Sequence, residues 1–469
     1  MNAIPAIPSL RFRNDTTFDA IYFDMLDQHD TPFHVIVART GWRFGQCDSN
    51  GLAALVPLDP PPELVGQDRH YDDDIERGVR VESDLAPYKP RCDVVVVGDA
   101  YAPAGHAAAS FPIVLRVQYP DRPAPTPEAP PPLNPFQPVS QEARRHWHAE
   151  AQQAAGKNIP GQRVIDKILH VTGPRELRRR TAAAVLPLTA IGRCPWKLTQ
   201  PVPVQRVPVR YEYAQGGQVR VERDSPAAQR VPQRCRLSEE QIVQFGAVAL
   251  DACQHNPVGR GFAPAWYLDA TELTSLAAPQ IDYPHAPFTA DLFWDASRGK
   301  AGLTPAGFGF IGRAWRPRRH LVGTMDVKAK WGAEDVPRLP PDFDFAYWNG
   351  APADQQCEHL NGAERFIVVN MTAPGANWAR RDATGHIVLA FELPRQSLFV
   401  LAADADGAVA AMPLAVDTVL IDTLAGTVEL TWRLCLPADG EFVEARLLHA
   451  NTPEQLDRLT QWMSSAAAA

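Results

Sequence analysis

Val428-Glu429-Leu430-Thr431-Trp432-Arg433-Leu434 alternates apolar and polar side chains without a break. Successive side chains of a strand point to opposite faces, so Val428, Leu430, Trp432 and Leu434 share one face and Glu429, Thr431 and Arg433 the other. This is the pattern of a half-buried antiparallel strand. Working outward, runs rich in β-branched and aromatic residues, bounded by Gly, Pro, Asn or Asp, predict further strands near 18–25, 34–39, 93–97, 113–119, 204–213, 366–371, 387–393, 397–401, 418–421 and 443–448. Two segments predict helices. Ser238-Glu239-Glu240-Gln241 is a capping box opening a run through Ile242, Phe245, Val248 and Ala249 to near Cys253. Thr452 and Pro453 open a second, carrying Leu456, Leu459 and Trp462, before a frayed tail of alanines. The expected fold is mainly β, a β-rich α+β chain of antiparallel sheets packed as a sandwich or two β lobes, with few short helices.

Proline is about twice as frequent as usual, 45 in 469 residues, whereas 30 glycines are ordinary, which excludes a low-complexity chain. Much of the excess lies in Pro120-Asp121-Arg122-Pro123-Ala124-Pro125-Thr126-Pro127 and onward to Pro138, an extended excursion that cannot donate a strand ladder. The stretch 141–155 after it has helix formers but no apolar stripe, a marginal surface helix. The expected organisation is an N-terminal arm over 1–17, a β-rich body over 18–450 in two lobes with a Pro-rich insertion at about 120–164, and a C-terminal helix and tail over 451–469. No apolar run of roughly 18 residues is present, and no apolar leader precedes a cleavage site, so neither membrane insertion nor secretion through a leader is expected, and a cytoplasmic chain is.

A net charge of −8 argues against nucleic acid as a partner. Seven cysteines without a CxxC pair suggest neither a disulfide framework nor a zinc ribbon, but reduced thiols packed as small hydrophobes. Gly307-Phe308-Gly309-Phe310-Ile311-Gly312 spells a dinucleotide fingerprint, yet Pro305 before it and Trp315-Arg316-Pro317 after it deny it the strand and helix that fingerprint needs. Phosphate-loop, nucleophile-elbow and HExxH signatures are missing. His146-Trp147-His148 lacks further ligands, and the acidic run Tyr71-Asp72-Asp73-Asp74-Ile75-Glu76 lacks the spacing of a calcium loop, so the histidines read as solvent-exposed and the run as a solvated turn. No catalytic, cofactor-binding or metal residues are assigned.

Asn256-Pro257-Val258-Gly259-Arg260-Gly261-Phe262, Pro305-Ala306-Gly307-Phe308-Gly309, Trp315-Arg316-Pro317-Arg318, Gly323-Thr324-Met325-Asp326, Pro340-Pro341-Asp342-Phe343-Asp344, Ala351-Pro352-Ala353-Asp354-Gln355-Gln356 and Gly362-Ala363-Glu364 occur in that order. This series resembles the type VI secretion effector-adaptor family, first catalogued as a domain of unknown function. Earlier segments, Cys92 to Gly98 with Ala102 to Gly105, and Lys167 to Arg175, agree with it. The long Pro-rich insertion and Met325, where an aromatic is expected, depart from it.

The resemblance implies an adaptor or chaperone that binds a cognate effector protein in the cytoplasm and assists its loading onto the VgrG spike, without catalysis or a cofactor. The residues it marks for partner binding are Asn256, Phe262, Trp315, Arg316, Arg318, Arg319, Asp326, Asp342 and Phe343. Two readings stay open for the cluster Trp315, Arg316, Arg318 and Arg319, which either faces an acidic partner or packs inward with its stems buried. Asp342-Phe343-Asp344 is a binding loop or an Asx turn, and Asn256, Gly259, Gly261, Gly307, Pro317 and Gly323 suit turns. The alternative from another class is a β-sandwich hydrolase or carbohydrate-active enzyme with carboxylates on its loops.

Overall fold

The computed structural model describes residues 7–123, 141–154, 158–159, 161–180, 194–302, 304–327, 338–360, 362–394, 396–450, 455 and 458. Most of the Pro-rich stretch and of the C-terminal segment therefore lies outside the described residues.

The alternating run at 428–434 sits inside the strand Thr427–Pro437, central in a seven-stranded sheet. It pairs antiparallel with Pro32–Cys47 on one side and Ala415–Asp422 on the other. Asp19–Leu26 and Ala53–Pro57 flank Pro32–Cys47, and Cys92–Val97 and Gln356–Cys357 complete the far edge. A six-stranded antiparallel sheet runs Ile281–Asp282, Arg163–Thr172, Ser110–Gln118, Arg365–Val369, Ile387–Glu392, Arg380–Arg381. A third sheet joins Arg11–Asn14, Phe442–Ala450, Ser397–Asp404 and Val409–Pro413. The sheets share one core: Val94, Leu430 and Trp432 of the first meet Leu115, Phe366 and Phe391 of the second and Val400 and Leu447 of the third. Phe44 and Phe391 touch across the sandwich with ring centroids 5.0 Å apart. The β-rich, mainly antiparallel architecture is thus as the alternation predicts. Among the described strands three pairs are parallel, Cys92–Val97 with Ala415–Asp422, Arg11–Asn14 with Phe442–Ala450, and the short Gln215–Gly216 with Arg260–Gly261. Parallel neighbours need long connections, which is why they join segments far apart in sequence.

Beside this core, described residues between 175 and 300 form two further apolar clusters, one around Leu177, Trp196 and Phe293 and one around Val221, Val248 and Ala249, which make up a smaller unit. Here the helix predicted from Ser238 is half right. The capping box forms, with Ser238 and Gln241 exchanging both hydrogen bonds, but the helix is only Glu239–Phe245. Gly246 stops it in the left-handed conformation, and Ala247–Ala252 continues as a strand against Gln218–Glu222. The run expected as a strand over 204–213 is also broken, into Arg206–Pro208 and a 3-10 turn at Tyr211–Tyr213. Gln141–Ala154 is a helix, with His146 exposed on it. Two short helices, Ala265–Thr271 and Ala290–Ser297, carried no sequence signal that was read.

The polar face of Thr427–Pro437 is not solvated. Thr431 and Arg433 are as buried as Leu430, because the segment 62–91 lies across that face and meets it with matching polar groups. Arg433 pairs with Asp417 and donates to the carbonyls of Ala86 and Asp84. Arg39 reaches Asp84 at 2.5 Å and Glu429 at 2.6 Å, and Thr431 Oγ1 donates to Asp84 at 2.7 Å. Lys89 donates to Asp93 at 2.8 Å and to Thr418 Oγ1 at 2.9 Å. Such a layer holds only while every charge keeps its counter-charge, since an unpaired buried ion is far costlier than the pair. Arg433→Met is expected to lower stability by about 3–5 kcal/mol by stranding Asp417. Arg446→Met, which loses an exposed pair with Asp15, is expected to leave the stability nearly unchanged. Denaturant midpoints of the two variants check the contrast.

Candidate partner-binding groove

The segment 304–320 is tied to the strand Cys92–Val97 by the hydrogen bond from Val96 N–H to the Phe308 carbonyl at 3.0 Å, and its glycines make room for rings. A Cβ on Gly307 would lie 2.7 Å from the Tyr211 ring, and one on Gly312 would lie 2.6 Å from the Trp315 indole. The GxGxxG spelling therefore marks aromatic packing, with Trp315 edge-on to Tyr211 at 5.2 Å.

The turn Arg316–Arg319 divides the arginines. Arg318 is buried, donating to the carbonyls of Ile311 and Tyr347 at 2.8 Å each and pairing with Glu82 at 2.6 Å. Glu82 also holds Arg313 at 3.0 Å and lies 3.9 Å from Lys89. Burial alone would raise the Glu82 carboxyl, but Arg318, Lys89 and Arg313 outweigh it and keep it below its ordinary range. With Arg318 drawn inward, Arg316 and Arg319 stand exposed beside His320. Arg316 N–H donates to the Gln254 carbonyl at 2.7 Å, which seats this turn against the loop 253–259.

Between the two lies an open groove of about 740 Å³, walled by Cys253, Gln254 and Pro257 on one side and Ala314, Arg316, Arg319 and His320 on the other. Among the described residues, its lining contains no carboxylate. Partial burial, and after it the neighbouring Arg316 and His320, lower the pKa of His255 beside it. A second depression of about 390 Å³ shares Pro257 and Ala314 with the first and adds Ile75, Val258 and Trp315. Ile75 is 82% exposed, an apolar contact at the mouth.

The remaining marked residues frame this surface or lie away from it. Asn256 is fully buried and donates to the carbonyls of Tyr211 and Gln215 at 2.9 and 3.0 Å, shaping the loop from within. Phe262 is half-buried against the smaller unit's core. Asp342 accepts from Thr324 N–H at 3.1 Å and Thr324 Oγ1 at 2.9 Å, and Phe343 is buried edge-on to Phe345 and Tyr347. Asp344 accepts from Ala346 N–H at 2.8 Å, which makes this motif an Asx turn. Asp326 lies on the turn Thr324–Val327, and its side chain is outside the described residues. Of the nine, only Arg316 and Arg319 line the groove. Gln254, His255 and His320 carry no motif signal of their own, although each lies within two residues of a motif.

One titratable side chain is enclosed between the sheets. Lys167 donates to Asp354 Oδ1 and Gln355 Oε1 at 2.8 Å each and lies over the Tyr283 ring. Gln355 in turn donates to the carbonyls of Val94 and Phe308. The Asp354-Gln355 motif is thus a clamp between the two large sheets. Burial pushes the Lys167 amine down to about 8, against the partial offset of Asp354. Among the described residues, no group of three or more His, Cys, Asp or Glu is placed to hold a metal ion.

A family described as an uncharacterized protein conserved in bacteria, DUF2169, matches residues 29–124 and 141–433. The chain belongs to this family. The matched region takes in the six-stranded sheet, the clamp and the groove, and the seven-stranded sheet apart from Asp19–Leu26 and the last residues of Thr427–Pro437. Neither the curated proteins nor the solved structures contain a match.

Arg318→Met is expected to destabilise the fold by about 3–5 kcal/mol by leaving Glu82 without its nearest cation. Arg316→Ser, on the same turn, is expected to shift stability by no more than about 0.5 kcal/mol. Urea unfolding of the two separates frame from surface. At Lys167 the folded chain releases a proton that the unfolded chain keeps up to its ordinary pKa of 10.5, so raising the pH through this window relieves the cost of the buried charge. Wild type is therefore expected to gain up to roughly 3 kcal/mol relative to Lys167→Met between pH 8 and 10.5. Midpoints for both proteins across that range test it.

Proposed function

We propose that this protein is a type VI secretion adaptor, which binds a cognate effector in the cytoplasm and assists its loading onto the VgrG spike without chemical turnover. The observation that carries the reading is the groove itself. A widely spaced set of motifs, those that resemble the effector-adaptor family, folds into a buried frame whose exposed product is an open cationic trough. The ion layer and the clamp hold that frame rigid, and pre-ordered surfaces lose less entropy on binding.

The chain is acidic overall, with a net charge of −8, whereas the described lining of the groove carries Arg316 and Arg319. It suits an acidic segment of a protein partner, with Arg316 and Arg319 as charged anchors and Ile75 and Val258 as apolar contacts. The hydrolase alternative calls for a carboxyl raised into the neutral range beside an ionised one. The carboxyls with displaced titration, Asp15, Glu82, Asp166 and Asp382, are all shifted downward by arginines or hydrogen bonds, as structural ion pairs and turns are.

Tagged protein expressed with its neighbouring effector is expected to retain that effector on purification. Arg316→Glu combined with Arg319→Glu is expected to lower the recovery about tenfold or more, equivalent to about 1.4 kcal/mol, without moving the unfolding midpoint. An effector that stays soluble and is exported normally in cells lacking this protein contradicts the adaptor reading. An effector retained equally by both proteins keeps the adaptor and rejects the groove.

A further inference from the structure

The register of the seven-stranded sheet sets Cys357 directly opposite Cys92. Directly opposed residues of an antiparallel pair have Cα atoms about 4.5–5.5 Å apart and side chains on one face. That separation falls within the roughly 4.4–6.8 Å that a disulfide spans. Both thiols are free, 0% and 2% exposed, and point into the same core cluster. The strand Gln356–Cys357 is the terminal member of its sheet and, among the described strands, pairs only with Cys92–Val97. It ends the strap 351–357, which Ala351 and Gln355 anchor to Asp93 and Val94, and its flanks are held by Arg91 to the Gln356 carbonyl at 3.1 Å, Gln356 Nε2 to the Ala351 carbonyl at 2.7 Å, His359 to the Lys89 carbonyl at 2.9 Å and Leu360 N–H to the Val416 carbonyl at 3.4 Å.

We propose that Cys92 and Cys357 form a redox-responsive pair that closes into an intramolecular disulfide under oxidising conditions and fastens the strap to the sheet. The pair gives up two protons and two electrons as the S–S bond forms. With a disulfide donor such as oxidised glutathione, one thiolate first attacks the donor, releasing one thiol, and the other then displaces the second from the mixed disulfide. Burial, and after it the neighbouring Cys357, raises the Cys92 thiol, so little thiolate is present in the closed strand. Reaction therefore proceeds through local opening of this short edge strand. In a reducing cytosol the pair stays as thiols.

The test is diamide oxidation of the purified full-length protein, followed by alkylation, intact mass and peptide mapping of the monomer. Wild type is expected to lose two of its seven alkylatable thiols, to yield a linked Cys92–Cys357 peptide, and to unfold at a higher temperature than the reduced protein. Sub-denaturing urea is expected to speed the closure. Cys92→Ala and Cys357→Ala, either of which suffices if the other folds poorly, are expected to retain the remaining thiols under the same treatment. A monomer that keeps all seven thiols after prolonged oxidation in sub-denaturing urea overturns the proposal. So does linkage of a different pair, or a closed form less stable than the reduced one.

Discussion

The buried ion layer on the outer face of the seven-stranded sheet is the constraint from which the rest follows. It begins at the sheet centre, where Arg433 meets Asp417 and Arg39 meets Asp84. It passes through Thr418 and Lys89 to Asp93, which also accepts from Asn349 and the Gly350 and Ala351 amides. From Lys89 it turns through Glu82 to Arg318 and Arg313. Arginine suits the junctions because its planar fork satisfies several acceptors at once, including the carbonyls of Ala86, Ile311 and Tyr347. Because an apolar interface of the same size is often as stable, stability alone does not account for these charges, whose partner-specific pairing favours one register and one seating for the segment 62–91.

That selection reaches the surface at the Arg316–Arg319 turn. Arg318 has its guanidinium fixed by Glu82 and two carbonyls, so the turn cannot rotate, and its neighbours Arg316 and Arg319 must face outward. The opposite wall is set independently, by Asn256 holding the loop to the Tyr211 and Gln215 carbonyls. The groove is therefore bounded by two rigid loops whose backbones meet only at the Arg316–Gln254 hydrogen bond among those described. Charges placed this way act over about 8 Å at physiological salt, so they bias the encounter and the orientation of a partner more than they hold it.

Much of the β architecture was legible because alternation at 428–434 and the doubly apolar run Val94-Val95-Val96-Val97 are local consequences of which faces are buried. The valines bury both faces, Val94 and Val96 toward the sandwich and Val95 and Val97 toward Tyr71, Val79 and Phe310. What alternation cannot tell is what covers the polar face, since Thr431 and Arg433 look the same whether water or Asp84 and Asp417 lie opposite. The same limit hid the fate of the arginine cluster. Four neighbouring cationic and aromatic residues read as one feature, but Glu82, remote in sequence, draws in Arg318 and leaves Arg316 out. The helix from Ser238 was overextended because Gly246 within an apolar run is tolerable to either structure, and only the partner strand Gln218–Glu222 decides for the second half.

An adaptor that spends no nucleotide must release its cargo by competition, and the geometry of the groove bears on how that is done. A deep enclosed pocket would hold a segment until the protein opened, which makes release slow. This trough is open along its length and lined by Arg316, Arg319 and His320 at its rim, so a competing surface can engage a bound segment before it has fully left. Rim charges contribute chiefly to association rate, and the apolar contacts at Ile75 and Val258 to residence time. Under the proposed adaptor function, hand-over would depend on the spike offering the effector more buried contact than this groove does, so that equilibrium would move the cargo forward with no conformational change in the carrier. The rigid ion layer fits such a role, because a carrier that does not reorganise on binding has no stored strain to dissipate when its cargo departs.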